Sequence, residues 1–344
     1  MFVHGEEVQI GVQPIFPENQ RNTEVGFFDL LLPQGAKQTI ELEISNLSTE
    51  KPVVVLIEVA TATTDNGGVV HYTSRRGEGE HIPDSSLVFA FEELVSAPQF
   101  IELAPEEARR VPITIQMPDV TFEGIIAGGF GISQKIDLKE AREEAGLILN
   151  LFNFEIPVLL RQSEHIVQPD LQILHIEASQ WNLRNVIAIH LQNPEMMFIN
   201  LMDLQVNVKD KVTNQVLVQH HETGLQMAPN SNFVFGVPLV GELFMEGDFI
   251  LQMIVTARNG EWSFVEEFQI EANQAEVLNK IAVTERGIQE ETSRGVQRTF
   301  LLYTLLAATL SVIIFAYVVK NEKRKHKEVR EVAIREIIKR IGED

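Results

Sequence analysis

His220, His221 and Glu222 stand side by side, and imidazole next to carboxylate is the donor set of a zinc site or of a general acid–base pair. Their spacing argues against both. Successive residues of a strand point to opposite faces, so adjacent histidines do not converge on one ion, and a solvated strand end accounts for the triplet. There is no His-Glu-x-x-His, and the absence of cysteine removes thiolate zinc sites. Gly124–Gly131 (GIIAGGFG) lacks the Lys-Ser/Thr of a phosphate loop and opens no helical pattern. Its glycines fit a strand that another backbone approaches closely, or a bulge. Asp65-Asn66 offers calcium-type oxygens, but no twelve-residue loop with a closing Glu follows. With Gly67-Gly68 the pair reads as a hairpin turn. No Gly-x-Ser-x-Gly occurs. Glu92-Glu93 and Glu106-Glu107 are neighbours on an acidic surface, and nothing in the sequence makes them converge on a sugar. The chain is therefore expected to bind rather than catalyse, with no cofactor and no metal.

The elements that would carry such a surface are mostly strands. Lys37–Asn46 alternates, with Ile40, Leu42 and Ile44 on one face. Residues 52–64 are rich in β-branched side chains, and Asp65–Gly68 should turn the chain back along Val69–Tyr72. Residues 110–117 alternate again, and 146–160 form a further apolar strand region. After Gln168-Pro169-Asp170, seven stretches read as strands: 171–178, 185–192, 200–210, 215–221, 232–237, 247–257 and 262–270. Short strands at this spacing predict an all-β chain of two tandem immunoglobulin-like antiparallel β-sandwich domains, 1–163 and 164–272. Polar residues 137–144 suit a short surface helix or an insertion loop. Residues 273–298 read as a juxtamembrane helical stalk. Asn46-Leu47-Ser48 matches a glycosylation acceptor, a tripeptide that often arises by chance.

Residues 300–319 (FLLYTLLAATLSVIIFAYVV) carry no charge. At about 1.5 Å per residue they make a helix of about 30 Å, the thickness of a bilayer's hydrocarbon core. A transmembrane helix is thus expected over 299–319, with Arg298, Tyr303, Tyr317 and Lys320 as interface anchors. The tail 320–344 holds nine Lys/Arg against six Asp/Glu, so the remainder is more acidic than the whole chain's net charge of −21. Basic flanks stay cytoplasmic, which places the tail inside and the acidic sandwiches outside. Val329, Ala333, Ile337 and Ile341 recur every four residues, giving the tail a basic amphipathic face. This topology implies a leader that has been removed, or a start other than the natural one, because Met1–Glu6 has neither a basic nor an apolar leader region. The acidic bulk repels phosphate and disfavours nucleic acid. A cysteine-free exported chain suits a Gram-positive surface.

Several short segments carry a family likeness. They are Pro17-Glu18-Asn19-Gln20, Gly26-Phe27-Phe28-Asp29-Leu30, a strand ending in Ser45-Asn46, Ala62-Thr63-Thr64 leading into Asp65–Tyr72 (DNGGVVHY), and Gly128-Gly129. In these segments, and in its layout throughout, the chain resembles the WxL-interacting proteins of low-GC Gram-positive bacteria. The resemblance implies a first sandwich that binds peptidoglycan and a second that binds a host ligand such as an extracellular-matrix protein. It also implies a transmembrane helix with a basic tail, and a partner protein bearing a WxL domain. The chain's own Trp181-Asn182-Leu183 reads as core or strand end. The expected function is that of a membrane-anchored surface scaffold engaging peptidoglycan and a WxL-domain protein. The alternatives are an extracellular strand-capping chaperone for secreted surface proteins or a wall-modifying hydrolase. Candidate glycan or partner contacts are Pro17, Glu18, Asn19, Gln20, Phe27, Phe28 and Tyr72, with core packing for at least one of the two phenylalanines and a backbone-capping turn for Asn19-Gln20 as the simpler readings.

Overall fold

The computed structural model describes residues 10–73, 83–135 and 152–282. In the first sandwich the described elements are β1 (Ile10–Ile15), β2 (Phe28–Leu31), β3 (Lys37–Asn46), β4 (Val53–Thr61), β5 (Thr63–Thr64), β6 (Val70–His71), the short helix α1 (Phe91–Leu94), β7 (Val95–Ser96), β8 (Phe100–Leu103), β9 (Ala108–Gln116), β10 (Ile126–Gln134) and β11 (Asn153–Arg161). One sheet runs β1-β3-β9-β7 and faces a second that runs β2-β11-β10-β4-β8. The pairing departs from a purely antiparallel plan at one place: β2 lies parallel to β11, with Phe28 opposite Val158.

Alternation builds the core of this sandwich. Ile40, Leu42 and Ile44 of β3 are at most 1% exposed, and the intervening Glu41, Glu43 and Ser45 look outward. Burying each such aliphatic side chain contributes about 1.5–3 kcal/mol. At the end of β3 the Asn46 amide donates to the carbonyls of Lys51 and Ala104, and its side-chain oxygen accepts from Ser48 N–H. Asn46 is 2% exposed, so the glycosylation tripeptide is part of the fold and not an acceptor. β10 obeys a different rule. Its first eight residues are all buried, because one face packs on the sandwich core and the other is covered by Tyr72 and Thr73 just after β6 and, at Ala127, by the cluster shared with the second sandwich.

The second sandwich comprises β12 (Gln172–Trp181), β13 (Arg184–Asn193), β14 (Ile199–Asp210), β15 (Val216–Met227), β16 (Ser231–Pro238), β17 (Gly247–Ala257) and β18 (Gly260–Ile270). Sheet β12-β13-β16 packs on sheet β15-β14-β17-β18, a three-on-four immunoglobulin-like arrangement. Helix α2 (Ala272–Ile281) closes it. The expected juxtamembrane helical stalk, 273–298, is described only as far as residue 282, and that part is helical and docked on the sandwich. Ala275 and Leu278 pack on the sandwich core, Asn279 exchanges hydrogen bonds with both backbone groups of Phe244, and Gln180 donates to the Leu278 carbonyl. The helix looks polar in sequence because only one narrow stripe is buried.

The two sandwiches belong to one compact unit. Among the described residues no helix is long and apolar enough to cross a membrane. The span 299–319 with Arg298, Tyr303, Tyr317 and Lys320, the tail 320–344 and the segment 137–144 lie outside the described residues.

Candidate functional site

Pro17–Gln20 follows β1, and its two amides hold the loop shut. Gln20 accepts from Asp29 N–H and donates to the carbonyls of Asn22 and Phe27. Asn19 exchanges two hydrogen bonds with Gln38, at 3.0 and 2.7 Å, and donates to the Leu31 carbonyl. Next to them Asp29, 8% exposed, is paired with Arg21 at 2.9 Å and Arg161 at 2.8 Å. Arg21 also reaches Glu164, whose hydrogen bond raises the guanidinium pKa still further. This network ties the loop to the end of β11.

The structure therefore separates the seven proposed contact residues. Phe28 is fully buried in the first core, and Gln20 is 8% exposed with its amide committed, so neither can meet a ligand from solvent. Phe27 and Tyr72 pack in a third apolar cluster between the sandwiches. Phe27 lies just ahead of β2 and packs against a different cluster from Phe28, so each of the two rings meets its own apolar core. Asn19 and Pro17 are half-buried, and Glu18 is exposed.

That third cluster joins residues of both sandwiches. Ala62, Ile125, Ala127 and Leu159 of the first sandwich meet Met197, Phe198 and Ala228 of the second. Polar groups fasten its rim. Thr64 Oγ1 accepts from Ala228 N–H at 3.0 Å and bonds Ser231 Oγ at 2.8 Å, which in turn donates to the Ala228 carbonyl. The Asp65–Gly68 hairpin reaches into the second sandwich: Gln226 N–H donates to the Gly68 carbonyl, and Val234 N–H donates to Asn66 Oδ1. Asp65 turns its carboxylate back on Gly67 and Val69 N–H, so the pair forms the turn read from sequence. Asp84 accepts from Gln192 and Asn232 of the second sandwich. Burial pushes the Asp84 carboxyl up, but hydrogen bonds from Ser86, Asn232 and Gln192 outweigh it and hold its pKa below the ordinary aspartate value.

Burial, and secondly Glu155, push the Tyr72 phenol up to about 12. A phenol whose folded pKa is raised adds stability that is whole below its ordinary value of about 10 and is lost as pH climbs toward about 12. For Asp84 the sign is opposite: its contribution is present above the ordinary aspartate value and is lost as pH falls through the lower folded one. We expect Tyr72→Phe to keep the ring's packing and lose the alkaline dependence. In denaturant melts between pH 9 and 12 the parent should lose about 1–2 kcal/mol that the variant keeps; parallel curves would contradict this.

On the second sandwich, His220 and His221 lie in the middle of β15, not at a strand end. Their faces do diverge: His220 packs its ring on Phe235, and His221 bonds Asp203 at 2.9 Å. They line a hollow of about 390 Å³ with Gln205, Asn207 and Gln219. A different trio converges. His175, Glu177 and His190 place one donor atom each within 4.8 Å of one another. His175 and Glu177 are two apart on β12 and share a face, which sequence could have shown; His190 joins them only through strand register. Burial, then His175, hold the His190 imidazole pKa below its usual value against the opposing pull of Glu177.

Residues 11–134 match the family described as WxL Interacting Protein, peptidoglycan binding domain, and residues 143–280 match WxL Interacting Protein, host binding domain. The second match begins ahead of β11, a strand that the structure gives to the first sandwich, where it pairs with β10 and β2. No curated protein matches the chain. Among solved structures it is similar to the YadV chaperone, at 9% identity over 76% of this chain and all of that one, TM-score 0.30. It is also similar to the Salmonella enterica SafA pilin–SafB chaperone complex, at 12% identity over 77% of this chain and 98% of that one, TM-score 0.30. A PapD-like domain of human CEP192 is similar at 14% identity over 48% of this chain and 95% of that one, TM-score 0.26. With both domains matched in order along its two sandwiches, the chain belongs to the WxL-interacting protein family.

Proposed function

We propose that the chain is a surface scaffold whose first sandwich engages peptidoglycan and whose second engages a protein, either a WxL-domain partner or a host ligand. The observation that carries this reading is the tandem match to two binding domains, laid over sandwiches that share a buried junction. A shared junction fixes the spacing of two binding surfaces, so that wall attachment orients the second sandwich. In this reading residues 299–319 anchor the chain in the membrane, the acidic sandwiches occupy the wall space and the basic tail is cytoplasmic. Glycan contact falls to exposed groups of the first sandwich, with Glu18 the accessible member of the Pro17–Gln20 loop.

The full chain in detergent should co-sediment with purified cell-wall sacculi and lose that retention when the sacculi are first digested with a muramidase. A WxL-domain protein added to the loaded sacculi should be retained with it. A folded chain that stays in the supernatant with intact sacculi would remove the wall-binding half of the proposal; loss of the WxL protein alone would remove the partner half.

A further inference from the structure

The outer face of sheet β12-β13-β16 carries a side-chain arrangement that the binding-scaffold reading does not use. Strands β12 and β13 pair antiparallel, with Ile173 opposite Leu191 and Ile176 opposite Ile189, all four turned to the core. Between those pairs the register shifts. Leu174 is the extra residue, and with it β12 places His175, not Leu174, directly opposite His190. A bulge of this kind re-aims a side chain at a local cost in ladder hydrogen bonds. Glu177 follows two residues later on the same face. The two imidazoles stack, with centroids 3.6 Å apart at 22°. Glu177 Oε1 lies 3.2 Å from His190 Nε2.

We propose that His175, Glu177 and His190 form a binding site for a divalent transition metal of the zinc class. Two imidazoles and one carboxylate are a borderline donor set that suits zinc, nickel or copper(II) better than calcium or magnesium, which take oxygen ligands. Around a tetrahedral zinc with ligand bonds near 2.0–2.1 Å, donor atoms stand about 3.4 Å apart. The His190–Glu177 pair is already at that spacing, and the His175 donor lies within 4.8 Å of the other two, so a rotation of the exposed His175 side chain completes the set. Three protein donors leave a fourth position for water or for a group on a bound partner. The ion would also clip β12, an edge strand, to β13.

The test uses ZnCl2 and the full chain in detergent, followed by titration calorimetry and by hydrogen exchange of the β12 amides. The parent should take up zinc with an affinity that falls at least about tenfold in His175→Gln and in Glu177→Gln, since loss of even an outer-shell partner costs about 10–100-fold. His220→Gln/His221→Gln should bind as the parent does. His175 and Glu177 are exposed, so both variants should fold, which circular dichroism checks. Zinc should slow β12 exchange in the parent and not in His175→Gln. A parent without uptake, uptake that His175→Gln and Glu177→Gln leave unchanged, or β12 exchange indifferent to zinc would overturn the proposal.

Discussion

Gly128→Ala is expected to destabilise the first sandwich by about 3 kcal/mol and to lower its melting temperature by about 10 °C. A Cβ at Gly128 would lie 2.0 Å from Phe91 Cγ and 2.5 Å from Phe91 Cβ. Phe91 has nowhere to go. It is fully buried, its ring packs 6.2 Å from Phe130, and its N–H donates to Thr61 Oγ1 at 2.7 Å. The contacted atoms sit at the root of the side chain, so a rotamer change cannot clear them, and overpacking of this kind moves backbone. Gly26→Ala is the matched control, because nothing lies within 4 Å of the Cβ it adds. Thermal melts of the two variants beside the parent decide the matter; a Gly128→Ala melt that overlays the Gly26→Ala melt would mean that the strand and α1 separate more easily than their packing implies.

Gly124→Ala should part the two sandwiches while leaving each folded. Gly124 has φ +96°, and its added Cβ would meet the Met196 carbonyl oxygen at 2.3 Å and Met196 Cβ at 2.8 Å. Two penalties coincide there, a backbone conformation that L-residues avoid and a collision with backbone of the other sandwich, together roughly 2–5 kcal/mol. The simplest relief is to break the adjoining Ile125 N–H to Met196 carbonyl bond of 2.7 Å and let the junction open. Calorimetry should then show separate transitions where the parent shows one, and limited proteolysis should cut the 162–170 connection faster. If the variant keeps a single transition and the parent's cleavage rate, the junction is not what couples the domains.

Both positions lie in GIIAGGFG, a stretch whose sequence could be read only as a strand with close backbone approach or as a bulge. Period-2 alternation appears when one face of a strand is wet. β10 is buried on both faces, so it shows no alternation and its glycines answer to Phe91 on one side and Tyr72 on the other. β3 is the opposite case: its outer face is partly solvated, and its limits, Lys37–Asn46, could be read directly from the pattern. The strands of the second sandwich were also found within a few residues, except for β15, which runs on to Met227; β13, buried along most of its length, shows as an apolar run between turn residues and not as an alternation. β1 and β8 escaped the reading because they are short edge strands, β1 with Pro14 inside it.

The candidate contacts divide along the same physical line. Residue type marks Phe27, Phe28, Gln20 and Tyr72 as able to stack on or hydrogen-bond a glycan, but type does not say what covers them. Two separate cores cover the aromatics, and the backbone carbonyls of Asn22 and Phe27 occupy the Gln20 amide. Conversely, His175 and His190 stand fifteen residues apart with nothing between them to suggest a pair; one extra residue in β12 brings their rings into contact. From sequence alone came the all-β class, the family, the excess of acidic residues ahead of residue 299 and the strands with one wet face, since each of these is written in local periodicity, charge or motif. The buried junction, the loss of Phe28 and Gln20 as ligand contacts, the docking of α2 and the imidazole pair were decided by tertiary structure, because strand register and the covering of a second face depend on residues far away in the chain.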